Sequence, residues 1–132
     1  MKLLLDTQCW LWWFAQPERL NEQAIALIGD HSNELWFSVA SIWEIAIKVT
    51  HGKLPLPESI DTYIDSRIGL LDMEILEIKA GHALRAAALP LHHKDPFDRI
   101  LISQAYLENM TLLSADIMFR KYGDLSLVWA GS

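Results

Sequence analysis

Four carboxylates stand where apolar runs give way to helical patterns: Asp6, Glu44, Asp98 and Asp116. Asp6 follows Leu3-Leu4-Leu5, and Asp116 follows Leu112-Leu113-Ser114-Ala115. In an open parallel sheet the carboxyl ends of the strands line one crevice, and such folds bind their ligands there. Acids gathered in that crevice repel one another by roughly 3 kcal/mol per pair at about 5 Å and an effective dielectric near 20. A divalent cation removes that penalty. The chemistry this pattern suggests is a Mg2+ or Mn2+ site acting on phosphodiester bonds.

Each acid also has an ordinary structural use. Asp6 and Asp116 suit helix N-caps. Glu44 closes Ser41-Ile42-Trp43-Glu44, which matches a capping box, and it pairs with Lys48 at i, i+4. Asp98 falls at the third position of a helix that Asp95 caps and Pro96 opens, where the helix dipole favours a negative charge. A carboxylate can cap and ligate at once, because the helix N-terminus orients it. Asp95 is expected to cap or to support the ligands, and Ser114 to hydrogen-bond a neighbouring carboxylate or a metal-bound water. Lys48, Lys94 and Arg99, on or beside the acidic segments, are candidates to hold nucleic-acid phosphates. The five histidines show no His-x-x-x-His or Cys/His spacing and are expected in loops.

Positioning these residues falls to alternating strands and helices, the α/β signature. Strands are expected at 2–5, 34–38, 74–78 and 110–114, with a short edge strand at 125–129. A helix carrying Trp10, Trp12, Trp13 and Phe14 follows the first strand and ends by Pro17. Asn21 caps a helix over 22–29. Ile42, Ile45, Ala46 and Val49 form an apolar stripe at helical spacing on a third, which Gly52 ends. Further helices are expected over 58–68, 79–88 and 96–108. The fold class is α/β, a central, mostly parallel sheet of four to five strands flanked by helices.

The 132 residues fit a single domain, 1–132. With 52% hydrophobic residues the chain has material for a sizeable core. Six Trp are many for this size, so some are expected at an interface. The net charge of −6 argues against binding a polyanion over the whole surface and makes a basic protein partner plausible. Cys9 is the only cysteine, which excludes an intrachain disulfide and suits the cytoplasm. No signal peptide and no stretch of about 20 apolar residues is present, so no membrane association is expected.

The opening Leu3-Leu4-Leu5-Asp6-Thr7, the segment Ser41 to Lys48, the block His93-Lys94-Asp95-Pro96-Phe97-Asp98-Arg99-Ile100-Leu101-Ile102-Ser103-Gln104-Ala105 and the strand end Leu112 to Asp116 resemble the PIN domain. More closely, they resemble the VapC-type toxins of bacterial toxin–antitoxin pairs. The resemblance covers nearly the whole chain, and the Asp-Pro-Phe-Asp-Arg block is its most specific part. It implies a three-layer sandwich and a metal-dependent endoribonuclease. The family's acidic residues carry over to Asp6, Glu44, Asp98 and Asp116. Asp6, Asp98 and Asp116 are expected to hold one or two Mg2+ or Mn2+ ions. Glu44 is expected to complete the site or orient the attacking water. Hydrolysis by a metal-activated water leaves 5′-phosphate and 3′-hydroxyl ends. A homodimer and a small VapB-like antitoxin partner are implied as well. Gln8 departs from the pattern, since close relatives often carry His after Asp-Thr.

Other folds with acids at strand ends fit less well. A phosphoacceptor receiver needs paired acids after its first strand and a Lys after its last. A haloacid-dehalogenase-type phosphatase needs an Asp where Gln8 stands. The remaining alternative is an inactive PIN-like scaffold that binds RNA or a protein, against which the presence of all four acids counts.

Overall fold

The computed structural model describes residues 1–132. Leu3, Leu4 and Leu5 are fully buried, so the first strand, β1 (Lys2–Leu5), is apolar on both faces. That continuous run is the mark of a central parallel strand covered by helices above and below. β1 pairs in parallel with β2 (Glu34–Ser38) on one side and with β4 (Thr111–Ser114) on the other. β3 (Glu74–Leu76) and β5 (Leu127–Trp129) complete the edges, in the order β3-β2-β1-β4-β5, with every pair parallel.

Alternate residues of the sheet feed two cores. Leu3 and Leu5 face one side with Phe37. There they meet Trp10 of α1 (Thr7–Ala15), Ala24 and Ile28 of α2 (Glu22–Gly29), Ile45 of α3 (Val39–Thr50) and Tyr63 and Ile64 of α4 (Ile60–Leu70). Leu4 and Leu112 face the other side, against Leu101, Ile102 and Ala105 of α6 (Pro96–Leu107). α5 (Ala80–Ala88) packs against α6. The result is three layers, as expected. Trp10 stacks on Phe37 with ring centroids 4.5 Å apart and lies in the core, whereas Trp43 is 60% exposed and sits edge-on to Phe97.

The helices begin where their caps allow. Side chains of Asp6, Asn21, Ser59 and Asp95 accept backbone N–H bonds at the starts of α1, α2, α4 and α6. The capping box at Ser41 is not formed. α3 starts three residues earlier, on Ser38, whose Oγ accepts from the Ala40 N–H. β2 therefore runs into α3 with no loop, which places Ser41 inside the helix and fully buried. Two residues past the end of α3, Gly52 turns the chain with a φ of +69°, the left-handed conformation that glycine adopts without strain. β3 stops at Leu76, two residues short of the expected strand. The Glu77 carbonyl beyond it accepts instead from the Gln104 side chain.

Candidate metal centre

Because every strand of the sheet is parallel, their carboxyl ends share one edge. β1 delivers Asp6 there, and β4 delivers Asp116 two residues after its last strand residue. The Asp6 N–H donates to the Leu113 carbonyl, so the ends of β1 and β4 are level. The first turn of α6 brings Asp98, and the second turn of α3 brings Glu44. All four acids line one cavity of about 280 Å³, together with Lys48 and Asp95.

Each carboxylate is held by its own set of partners. Asp6 caps α1 by accepting the Cys9 N–H at 2.7 Å, while its other oxygen accepts from the buried Ser114 hydroxyl. Glu44, 7% exposed, lies 2.7 Å from Thr7 Oγ1 and 2.8 Å from Lys48 Nζ. Thr7 in turn lies 2.9 Å from Ser41 Oγ. Asp116 accepts the Met118 N–H at the start of a 3₁₀ turn over Ile117–Lys121. Asp95 accepts from the Phe97 and Asp98 N–H groups. The capping uses are thus real for Asp6, Asp95 and Asp116, and the i, i+4 pair is real for Glu44. These uses leave the acids facing one cavity.

The electrostatics register the crowding. Burial pushes the Asp98 carboxyl up to about 8, and the negative charges of Asp95, Glu44, Asp6 and Asp116 push in the same direction. Burial also raises Asp6, against the opposing hydrogen bonds from Ser114 and Cys9. Carboxylates without enough counter-charge are what a divalent cation neutralises. The oxygen-only acids suit a hard ion of the Mg2+ or Mn2+ kind.

Two expectations need correction. Arg99 does not reach toward RNA. It is 8% exposed, and its guanidinium donates to the carbonyls of Ala86, Leu89, Pro90 and His93. It ties the connection between α5 and α6 to the first turn of α6. The histidines are not all loop residues on the surface. His82 lies on α5, is fully buried and accepts the Lys79 N–H. His93 does lie in a loop, yet its Nε2 is 2.8 Å from Asp116 Oδ2 and 3.0 Å from Asp98 Oδ2. One oxygen or nitrogen each from His93, Asp98 and Asp116 fall within 4.8 Å of one another. The only sequence signal for this was the position of His93 two residues before Asp95 in the densest block of charged residues. Lys48 lines the cavity, and Lys94 is exposed.

The model of the PIN domain family matches residues 3–125. Among curated proteins, Ribonuclease VapC16 of Mycobacterium tuberculosis is 35% identical over 63 residues, 48% of this chain and 45% of that protein, so that match spans less than half of either. Ribonuclease VapC22 of the same organism is 26% identical over 121 residues, 91% of each chain. Among solved structures, VapBC2 from Rickettsia felis, bound to a DNA fragment from its promoter, superimposes with a TM-score of 0.74 at 18% identity, covering 98% of this chain and 99% of that one. A DNA-bound VapBC from Salmonella typhimurium gives 0.67 at 14% identity, with 97% of each chain covered. At those identities the likeness speaks for the fold. The matched family model spans β1 through the residues before β5, including all four acids, and this chain belongs to the PIN domain family.

Proposed function

We propose that the chain is a metal-dependent endoribonuclease and the toxin of a toxin–antitoxin pair. The observation that carries this reading is the meeting of Asp6, Glu44, Asp98 and Asp116, from four distant segments, on one cavity at the carboxyl edge of the sheet. The two curated relatives, both named ribonucleases, supply the substrate class. Asp6, Asp98 and Asp116 would hold the ion, Mg2+ or Mn2+. When bound, it supplies Lewis-acid stabilisation of a phosphodiester's developing charge and makes water more acidic.

The rest falls to the chain's own groups. Cys9 N–H and Ser114 fix the Asp6 carboxylate, so it need not reorganise on binding. Glu44, held between Thr7 and Lys48, is the acid placed to orient a water or accept its proton. Lys48, 45% exposed at the cavity, keeps an ammonium where an RNA phosphate arrives. A small antitoxin of the VapB kind is the inferred protein partner, in keeping with the complexes among the structural neighbours and with a net charge of −6 that suits a basic segment. A homodimer is inferred on the same grounds.

The test compares wild type with Asp98→Asn on structured and unstructured RNAs with Mg2+, Mn2+ or EDTA. Endonucleolytic cleavage is expected only with metal, and a loss of at least about 100-fold in the variant. A folded wild type that cuts no RNA and does not bind Mn2+ would instead favour a binding scaffold.

A further inference from the structure

His93 hydrogen-bonds one of the four acids, Asp116, at 2.8 Å, and its ring nitrogen lies 3.0 Å from a second, Asp98. Its backbone is fixed on both sides. The His93 N–H donates to Tyr122 Oη at 3.0 Å, and its carbonyl accepts from Arg99 at 3.0 Å. Its ring lies against Phe119, with centroids 5.4 Å apart, and the side chain is 11% exposed. A ring held this way has little freedom to turn.

The ring's own bonding sets its tautomer. The Asp95 N–H donates to Nδ1 at 3.2 Å, so Nδ1 offers its lone pair and the proton sits on Nε2. Nε2–H then donates to Asp116 Oδ2 at 2.8 Å, and Asp98 Oδ2 lies 3.0 Å from the same nitrogen. These two acids come from different elements, the first turn of α6 and the segment just after β4, and the ring holds Asp116 beside Asp98. His93 does this from behind, since Asp98 and Asp116 line the cavity and His93 does not. For Nε2 to bind a metal ion itself, the proton would have to move to Nδ1 and the bond from Asp95 would be lost.

We propose that His93 is a positioning residue for the cation site: its Nε2–H holds the Asp116 carboxylate beside Asp98 for an ion that it does not itself ligate. The inference rests on the metal-dependent reading above. Hydrogen bonds of this kind to ligating groups contribute about 10–100-fold to metal affinity.

The test measures Mn2+ binding by calorimetry and by electron spin-echo spectroscopy in wild type, His93→Gln and His93→Met. Gln and Met fill similar volumes, but only Gln keeps an N–H donor near the position of Nε2. Expected are a loss of about 10–100-fold in affinity for the Met variant, recovery to within about threefold for the Gln variant, and no directly coordinated nitrogen signal in wild type. Melting curves without metal show that both variants are folded. A Met variant that binds as wild type does would overturn the proposal, and so would a coordinated nitrogen in wild type, which would make His93 a ligand. Wild type that binds no Mn2+ at all would bring down the metal reading itself and this inference with it.

Discussion

At the scale of single residues, structural and chemical uses coincide. Asp6 caps α1 and lines the cavity with the same carboxylate, which has lone pairs enough for both. Asp98 bears the cost of the arrangement. Its carboxyl titrates near 8 in the folded chain and in the ordinary carboxylate range, near 3.8, in the unfolded chain. Between those values the folded state holds a proton that the unfolded state has released, so stability falls as pH rises through the window. The metal-free protein is therefore expected to melt at progressively lower temperature from pH 5 to pH 8.5. The slope should flatten in Asp98→Asn, and added Mn2+ should stabilise wild type more at pH 8 than at pH 5. A melting temperature that rises over that range without metal would contradict this account. Cys9 stays out of the chemistry, because burial, aided by the Asp6 charge, raises its thiol far above the thiolate range.

Among the elements, α6 depends on a residue that looks solvent-facing in the sequence. The Arg99 guanidinium fastens four carbonyls of the segment 86–93 to the helix that carries Asp98. A planar fork with five donors can serve that many acceptors, and a lysine ammonium cannot. Arg99→Ala leaves buried carbonyls without partners, and each costs about 1–3 kcal/mol. The variant is expected to melt lower by roughly 5 °C or more. Arg99→Lys should recover little of that loss, as thermal denaturation followed by circular dichroism would show. Full recovery with lysine would mean that charge alone, not the fork, holds the segment. α3 teaches a related lesson. Its start on Ser38 releases Ser41 to support Thr7, and Thr7 supports Glu44.

For the whole molecule, 17 acidic against 11 basic side chains leave few cations to meet a polyanion. With Arg99 turned inward, Lys48 is the one cation of the three expected RNA contacts that lines the cavity. Affinity for single-stranded RNA should then depend weakly on salt, with a log–log slope of about −0.7 for each phosphate neutralised, and so near −1 to −2 in total. Fluorescence anisotropy under non-cleaving conditions measures it. A slope steeper than about −4 would mean that a basic surface away from the cavity dominates binding. No helix is long and apolar enough to cross a membrane.

The sequence by itself determined what is local. The triple leucine before Asp6 marks a strand buried on both faces, Asn21 and Asp95 mark helix starts, and four acids at strand ends and in first or second helical turns mark the crevice. These features depend on a few neighbouring residues, and both propensity and capping act at that range. Tertiary structure decided what joins distant segments. It set His93 against Asp98 and Asp116, turned Arg99 toward carbonyls 6 to 13 residues before it, and placed the Ser114 hydroxyl on Asp6 across 108 residues. A hydrogen bond depends on distances of a few tenths of an ångström and on direction. Those are fixed only when the layers pack, so the acids, the Glu44–Lys48 pair and a hydroxyl role for Ser114 could be read along the chain, while the place of His93 and the inward turn of Arg99 could not.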